Sequence, residues 1–218
     1  MNWTQQVDGY CERLDAAFWA EPVNAVTNLA FILVAILMWR RVYGLPLARA
    51  LCILLFLIGV GSFLFHTFAQ TWAGLADVLP ILLFVLLYIY GATKDFWGSS
   101  KLVAVSAVLL FVPYAAVTVP LFQKVAFLNT SAAYGPVPLL IVIYALGLSR
   151  QNPATARRLA VGAGLIFLSI LLRSADLPLC QSFPQGTHFL WHVLNAVALG
   201  WMIETYRRHM LAPIQNQG

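Results

Sequence analysis

Apolar residues run in long stretches separated by short polar turns along almost the whole chain. Seven windows approach the ~20 residues that a helix needs to cross a ~30 Å hydrocarbon core. They are Val23–Trp39, Leu47–Phe68, Asp77–Thr93, Leu102–Val119, Ala132–Leu148, Leu159–Arg173 and His188–Tyr206. Runs of this kind predict helical spans rather than a β-barrel. Pro80, Pro113, Pro136 and Pro138 fall inside spans or near their starts, which predicts kinks or irregular first turns. Residues Met1 to Ala20 are mixed and acidic, without the basic-then-apolar order of a cleavable leader. There is no internal repeat, low-complexity stretch or linker, so the pattern reads as one all-α membrane domain over residues 1–218.

Composition agrees: 61% of the 218 residues are hydrophobic and only 10% charged, against about 25% charged in soluble domains. The net charge of +5 would point to an anionic partner in a soluble protein. Here it is better read through the loops, which set orientation. Ten of the 13 Lys and Arg residues (Arg40, Arg41, Arg49, Lys94, Lys101, Arg150, Arg157, Arg158, Arg207 and Arg208) fall on one side of the seven windows. Only Arg13, Lys124 and Arg173 fall on the other. The positive-inside rule then predicts an outside N-terminus and a cytoplasmic C-terminus. Residues 1–22 form an acidic extracytoplasmic segment and 207–218 a cytoplasmic tail. Six of the eight acidic residues (Asp8, Glu12, Asp15, Glu21, Asp77 and Asp176) lie on the outer side.

The same side collects the histidines. His188 and His192 stand four apart at the start of the last span, which puts both rings on one helix face about 6 Å apart along the axis. His66 lies near the outer end of the second span, at the same depth. Three imidazoles with a fourth position open suit a catalytic zinc that lowers the pKa of a bound water to about 7. A lone pair at this spacing also arises by chance, but ionisable groups inside spans are costly and mark function. Ser62, one turn deeper than His66, is placed either to donate to a developing oxyanion or to bond back to its own helix. Asp77, read as the opening residue of the third span, is a candidate to orient or deprotonate the metal's water or to cap the helix. A Ser-His-Asp triad on Ser62 is the rival chemistry, and it leaves the His188/His192 pair unexplained. His209, following Arg207 and Arg208, is expected to be solvated. Cys52 is expected to be buried.

At these residues the chain resembles the alkaline ceramidase family, within the seven-helix hydrolases that include adiponectin-receptor-like proteins. The resemblance is carried by Ser62-x-x-x-His66 with Asp77 and Leu79-Pro80 beyond, and by His188-x-x-Trp191-His192. Tyr10-Cys11-Glu12, Glu21-x-x-Asn24-x-x-Thr27-Asn28, and Asp176 with Cys180 four residues later complete it. It implies seven helices with the N-terminus outside and hydrolysis of the ceramide amide bond. His66, His188 and His192 would ligate zinc, Asp77 assist the water and Ser62 stabilise the oxyanion. It also implies a calcium ion in the N-terminal segment, for which Asp8, Glu12 and Glu21 are the candidates, and a Cys11–Cys180 disulfide. The acidic loop departs from the family: it is short between Glu12 and Glu21, Gly9 precedes Tyr10, and an expected asparagine is missing. Asp15 or backbone carbonyls would have to compensate.

The expectation is therefore a zinc-dependent intramembrane amidohydrolase acting on ceramide-like lipids taken from the membrane. It needs no nucleic acid and no obligate protein partner. A bacterial inner membrane with the site toward the periplasm is the expected location. Alternatives are a zinc hydrolase of another acyl lipid (ester or GPI remodelling) or a seven-helix receptor using metal structurally. A receptor of the adiponectin-receptor type would have the opposite orientation. A transporter would place its polar groups near the midplane, not at one face.

Overall fold

Proline marks where four helices begin. Pro22, Pro46, Pro136 and Pro153 each stand in the first turn of a helix, where the missing N–H has no partner to lose and the fixed φ suits the helix. The computed structural model describes residues 2–7 and 9–212. Eight α-helices follow in order: α1 Pro22–Thr27, α2 Leu29–Arg41, α3 Pro46–Phe68, α4 Thr71–Gly91, α5 Lys101–Gln123, α6 Pro136–Leu148, α7 Pro153–Leu179 and α8 His188–Leu211. A π-helical turn, Ala92–Phe96, ends α4, and a 3-10 stretch, Ala126–Tyr134, leads into α6. Among the described residues the β-type pairing is a single antiparallel bridge, Gln6 with Gln70.

Five segments are long and apolar enough to cross a membrane, counting α1 and α2 as one (Pro22–Arg41), or six with the 3-10 stretch and α6. The chain is thus a multi-pass membrane protein. Large apolar side chains such as Leu109, Leu110, Val112 and Val117 on α5 are exposed, as a lipid-facing surface requires. α8 fails the same apolarity test because it carries His188, His192, Asn195, Glu204, Arg207 and Arg208.

Each predicted window coincides with a helix, but several bounds move. The first span is interrupted at Asn28, where the Asn28 side-chain amide donates to the Asn24 carbonyl at 2.8 Å. The fifth is bent by 70° between the 3-10 stretch and α6. α7 extends well beyond Leu159–Arg173 at both ends, and α8 runs on to Leu211, so Arg207 and Arg208 are helical rather than part of a tail. α4 begins at Thr71, six residues before Asp77. Asp77 therefore neither opens nor caps this helix, which has Gln70 at its N-cap. His209 is not simply solvated: its ring packs 4.5 Å from Phe96 and bonds Thr155 Oγ1 at 2.9 Å. Cys52 is buried.

α3 and α4 pack backbone to backbone. A Cβ on Gly61 would run into the main-chain carbonyl of Ala76, so this crossing, which sets Ser62 opposite Asp77, tolerates no side chain there. Gly61→Ala should lower stability by about 1–3 kcal/mol through overpacking. Gly164→Ala, at a helical glycine facing open space, should be neutral or gain up to about 1 kcal/mol. Thermal melts of both variants in the same detergent check the contrast.

Candidate metal centre

His66 reaches the centre from the last turn of α3, and His188 and His192 from the first two turns of α8. All three are buried, at 1–2% exposure. Their ring centroids lie 4.6–5.1 Å apart. One nitrogen from each falls within 4.8 Å of the others, a donor set able to hold a single metal ion. Among the described residues no other cluster of three His, Cys, Asp or Glu does so.

The hydrogen bonds fix which nitrogens face inward. His66 Nδ1 lies 2.6 Å from Glu21 Oε2. An ionised carboxylate only accepts, so the proton sits on Nδ1. Thr27 donates its one hydroxyl proton to helix carbonyls, at 2.8 Å to Val23. It therefore accepts from His192 Nδ1, 2.9 Å away. Each ring is left with a bare Nε2, and His66 Nε2 and His192 Nε2 are both buried without a partner, as is His188 Nδ1. Each of the three rings thus has a buried nitrogen without a partner, and one nitrogen of each ring converges on the others, as a metal ion requires. Burial pushes the Glu21 carboxyl up, and hydrogen bonds and charge from His66 and Arg13 outweigh it, holding the group below the usual carboxylate range.

Ser62 is buried on α3 one turn below His66. Among the described residues it forms no back-bond to its own helix, and it lies near Asp77, whose carboxyl is also in the field of His66 and Arg173. The fold brings Ser62 and Asp77 to the side of the three histidines, with Asp77 inside α4 rather than at its start.

Two of the carboxylates expected to hold calcium, Glu12 and Glu21, have hydrogen-bond partners. Glu12 accepts from the backbone N–H of Val23 and of Asn24, both at 2.8 Å, and so caps α1 in place of an N-cap side chain. Glu21 is shared by Arg13, Asn24 and His66. Asp8 lies outside the described residues. Asp15 is exposed and turns its carboxylate to the N–H of Ala17.

The N-terminal segment lies over the histidines as a lid. Tyr10 stacks on His188 at 3.8 Å between centroids, with 25° between planes. Cys11 and Cys180 form the expected disulfide. Asp176 is buried beneath it and accepts from three backbone N–H groups: Cys11 at 3.0 Å, Thr187 at 2.7 Å and His188 at 2.9 Å. It therefore caps α8 and ties down the lid together. Gly186, at φ 66°, passes so close that a Cβ would strike the Asp176 carboxylate. Arg173 lies beneath Tyr10, Tyr134 and Trp191, 5.2–5.9 Å from their rings.

Tyr10, Arg13, Thr27, Arg173 and Asp176 were not among the expected site residues. Thr27 and Asp176 belonged to recognised motifs, and Tyr10 to the element before Cys11, but their partners lie up to 165 residues away. Spacing along the chain carries no trace of such contacts.

A helical membrane protein with a buried three-histidine donor set at one end is the class these features define. The sequence model of the ceramidase family matches residues 6–212, nearly the whole chain. The chain belongs to the ceramidase family, a family of hydrolases. No curated protein matches the chain.

Because Glu21 fixes the tautomer of His66, Glu21→Gln should weaken metal affinity by about 10–100-fold. Competition of the purified variant against a metal chelator of known affinity, with metal read by mass spectrometry, checks this.

Proposed function

We propose that the chain is a zinc-dependent intramembrane hydrolase that cleaves the amide bond of ceramide-like lipids to a sphingoid base and a fatty acid. The observation that carries this reading is the set of three inward-facing histidine nitrogens beside Ser62 and Asp77. Nitrogen-only donors in a triad favour zinc over the hard cations, which prefer oxygen. Zinc held there would supply Lewis acidity, polarising a carbonyl and acidifying water.

The chain's own residues do the rest. The Asp77 carboxylate takes the proton from the attacking water as its oxygen adds to the amide carbon. The Ser62 hydroxyl turns from Asp77 to the developing oxyanion. Asp77 then returns the proton to the amide nitrogen as the C–N bond breaks, releasing amine and acid. Glu21 and Thr27 keep two rings in register throughout.

Three small apolar cavities lie in series below this point. Phe31, edge-on to His192, and Ile58, one turn below Ser62, line a cavity of about 40 Å³. It shares Val85, Val137, Ile166 and Leu199 with a second of about 40 Å³. That cavity shares Tyr88, Ile89, Leu140 and Ile141 with a third of about 30 Å³ nearer the basic end. The distribution of Lys and Arg supports seven spans with the histidine end outside. In a bacterial host that end would face the periplasm.

Two variants test the chemistry. His188→Ala should lose bound zinc and ceramide hydrolysis together. Ser62→Ala should keep zinc and lose about 10²–10³-fold in kcat, as expected for one oxyanion donor. Products from a panel of ceramides, acyl esters and GPI lipids, read by mass spectrometry, check the substrate class. Unchanged ceramide turnover in zinc-free His188→Ala would refute the mechanism.

A further inference from the structure

The family resemblance implies a calcium ion in the N-terminal segment, and the described residues there do not fit one. We propose that Arg13 is the resident cation of this segment, so that the lid and the aim of His66 need no calcium. Its side chain is 3% exposed. The guanidinium donates from Nε to Glu21 Oε1, from one terminal nitrogen to the Asp15 carbonyl at 3.1 Å, and from the other to the His66 carbonyl at 3.0 Å. A carboxylate and two backbone carbonyls are the oxygen types that calcium gathers. Here they converge on a planar cation that stays protonated at any working pH. Glu12 has both oxygens engaged by α1 backbone N–H groups, so its charge already serves the start of that helix.

The arrangement does more than neutralise charge. Arg13 holds His66 at two points: the main chain directly, and ring Nδ1 through the Glu21 carboxylate. It is a positioning residue. Lysine keeps the charge but cannot present three donors in a fixed plane, so it would hold one of these points at a time.

The test begins with the wild-type protein, stripped of loosely bound metal on a chelating resin. Equilibrium dialysis against radioactive calcium up to about 1 mM, the weak end of protein calcium sites, should show no saturable binding. The melting temperature should be the same in calcium as in magnesium. One calcium per chain with a saturable rise in melting temperature would overturn the proposal, and would locate the ion on residues such as Asp8. The second arm replaces the native metal with cobalt and compares wild type with Arg13→Lys. The expected result is a changed cobalt absorption spectrum and about 10–100-fold weaker cobalt binding, with folded protein recovered. An unchanged spectrum and affinity would show that Arg13 does not aim His66. Neither arm reads lipid turnover, so a wrong substrate leaves this result intact.

Discussion

A carboxylate taken out of water must find positive or donating partners on every side, and this fold is arranged around two that do. Glu21, at the start of α1, is 2% exposed and meets a guanidinium, an amide and an imidazole. Asp176, in the last turn of α7, is equally buried and meets three backbone N–H groups. Each secures one of the helices that carry the histidines. Glu21 sets the ring of His66 on α3, and Asp176 caps α8 at His188 itself. Losing either charge would leave its donors without partners in the driest part of the molecule, which is why the site and the stability of this end are one problem.

The first helix then has a clear purpose. Glu21 orients His66, Asn24 steadies Glu21, Thr27 orients His192, and Asn28 bonds back to the Asn24 carbonyl at the step between α1 and α2. Glu12 satisfies the exposed start of α1.

Much of this was legible in the chain, and the boundary of legibility has physical causes. The apolar windows reported lipid-facing helices because hydropathy is what the bilayer selects. They missed the break at Asn28, since a window averages over hydrogen bonding, whereas Pro136 did mark the irregular start of α6, where the chain bends by 70°. Helix α4 was entered late because Thr71–Ala76 is helical without being strongly apolar. Histidines are few, and the spacing of His188 and His192 is a helical one, so the donor set was readable. The resemblance pointed to calcium at the acidic N-terminal residues, whereas the contact between Arg13 and Glu21 had no signal in the sequence. An arginine one residue after Glu12 reads as a surface charge until the fold brings His66 and Glu21 onto it. His209 was misread for the converse reason: its neighbours in sequence are charged, while its neighbours in space are Phe96 and Thr155.

The Cys11–Cys180 bridge joins residues 169 positions apart, and His66 stands 122 residues before His188 on α8. During synthesis the lid emerges first and meets its neighbours at the α3–α4 turn early, but its anchors at Asp176 and Cys180 come only with the end of α7 and the loop to α8. Only then do the thiols meet, Asp176 find the Cys11 amide, and Tyr10 settle on His188. The centre is therefore assembled last, by a chain already threaded through the bilayer. A copy truncated before α8 would carry the other seven α-helices and only one of the three histidines.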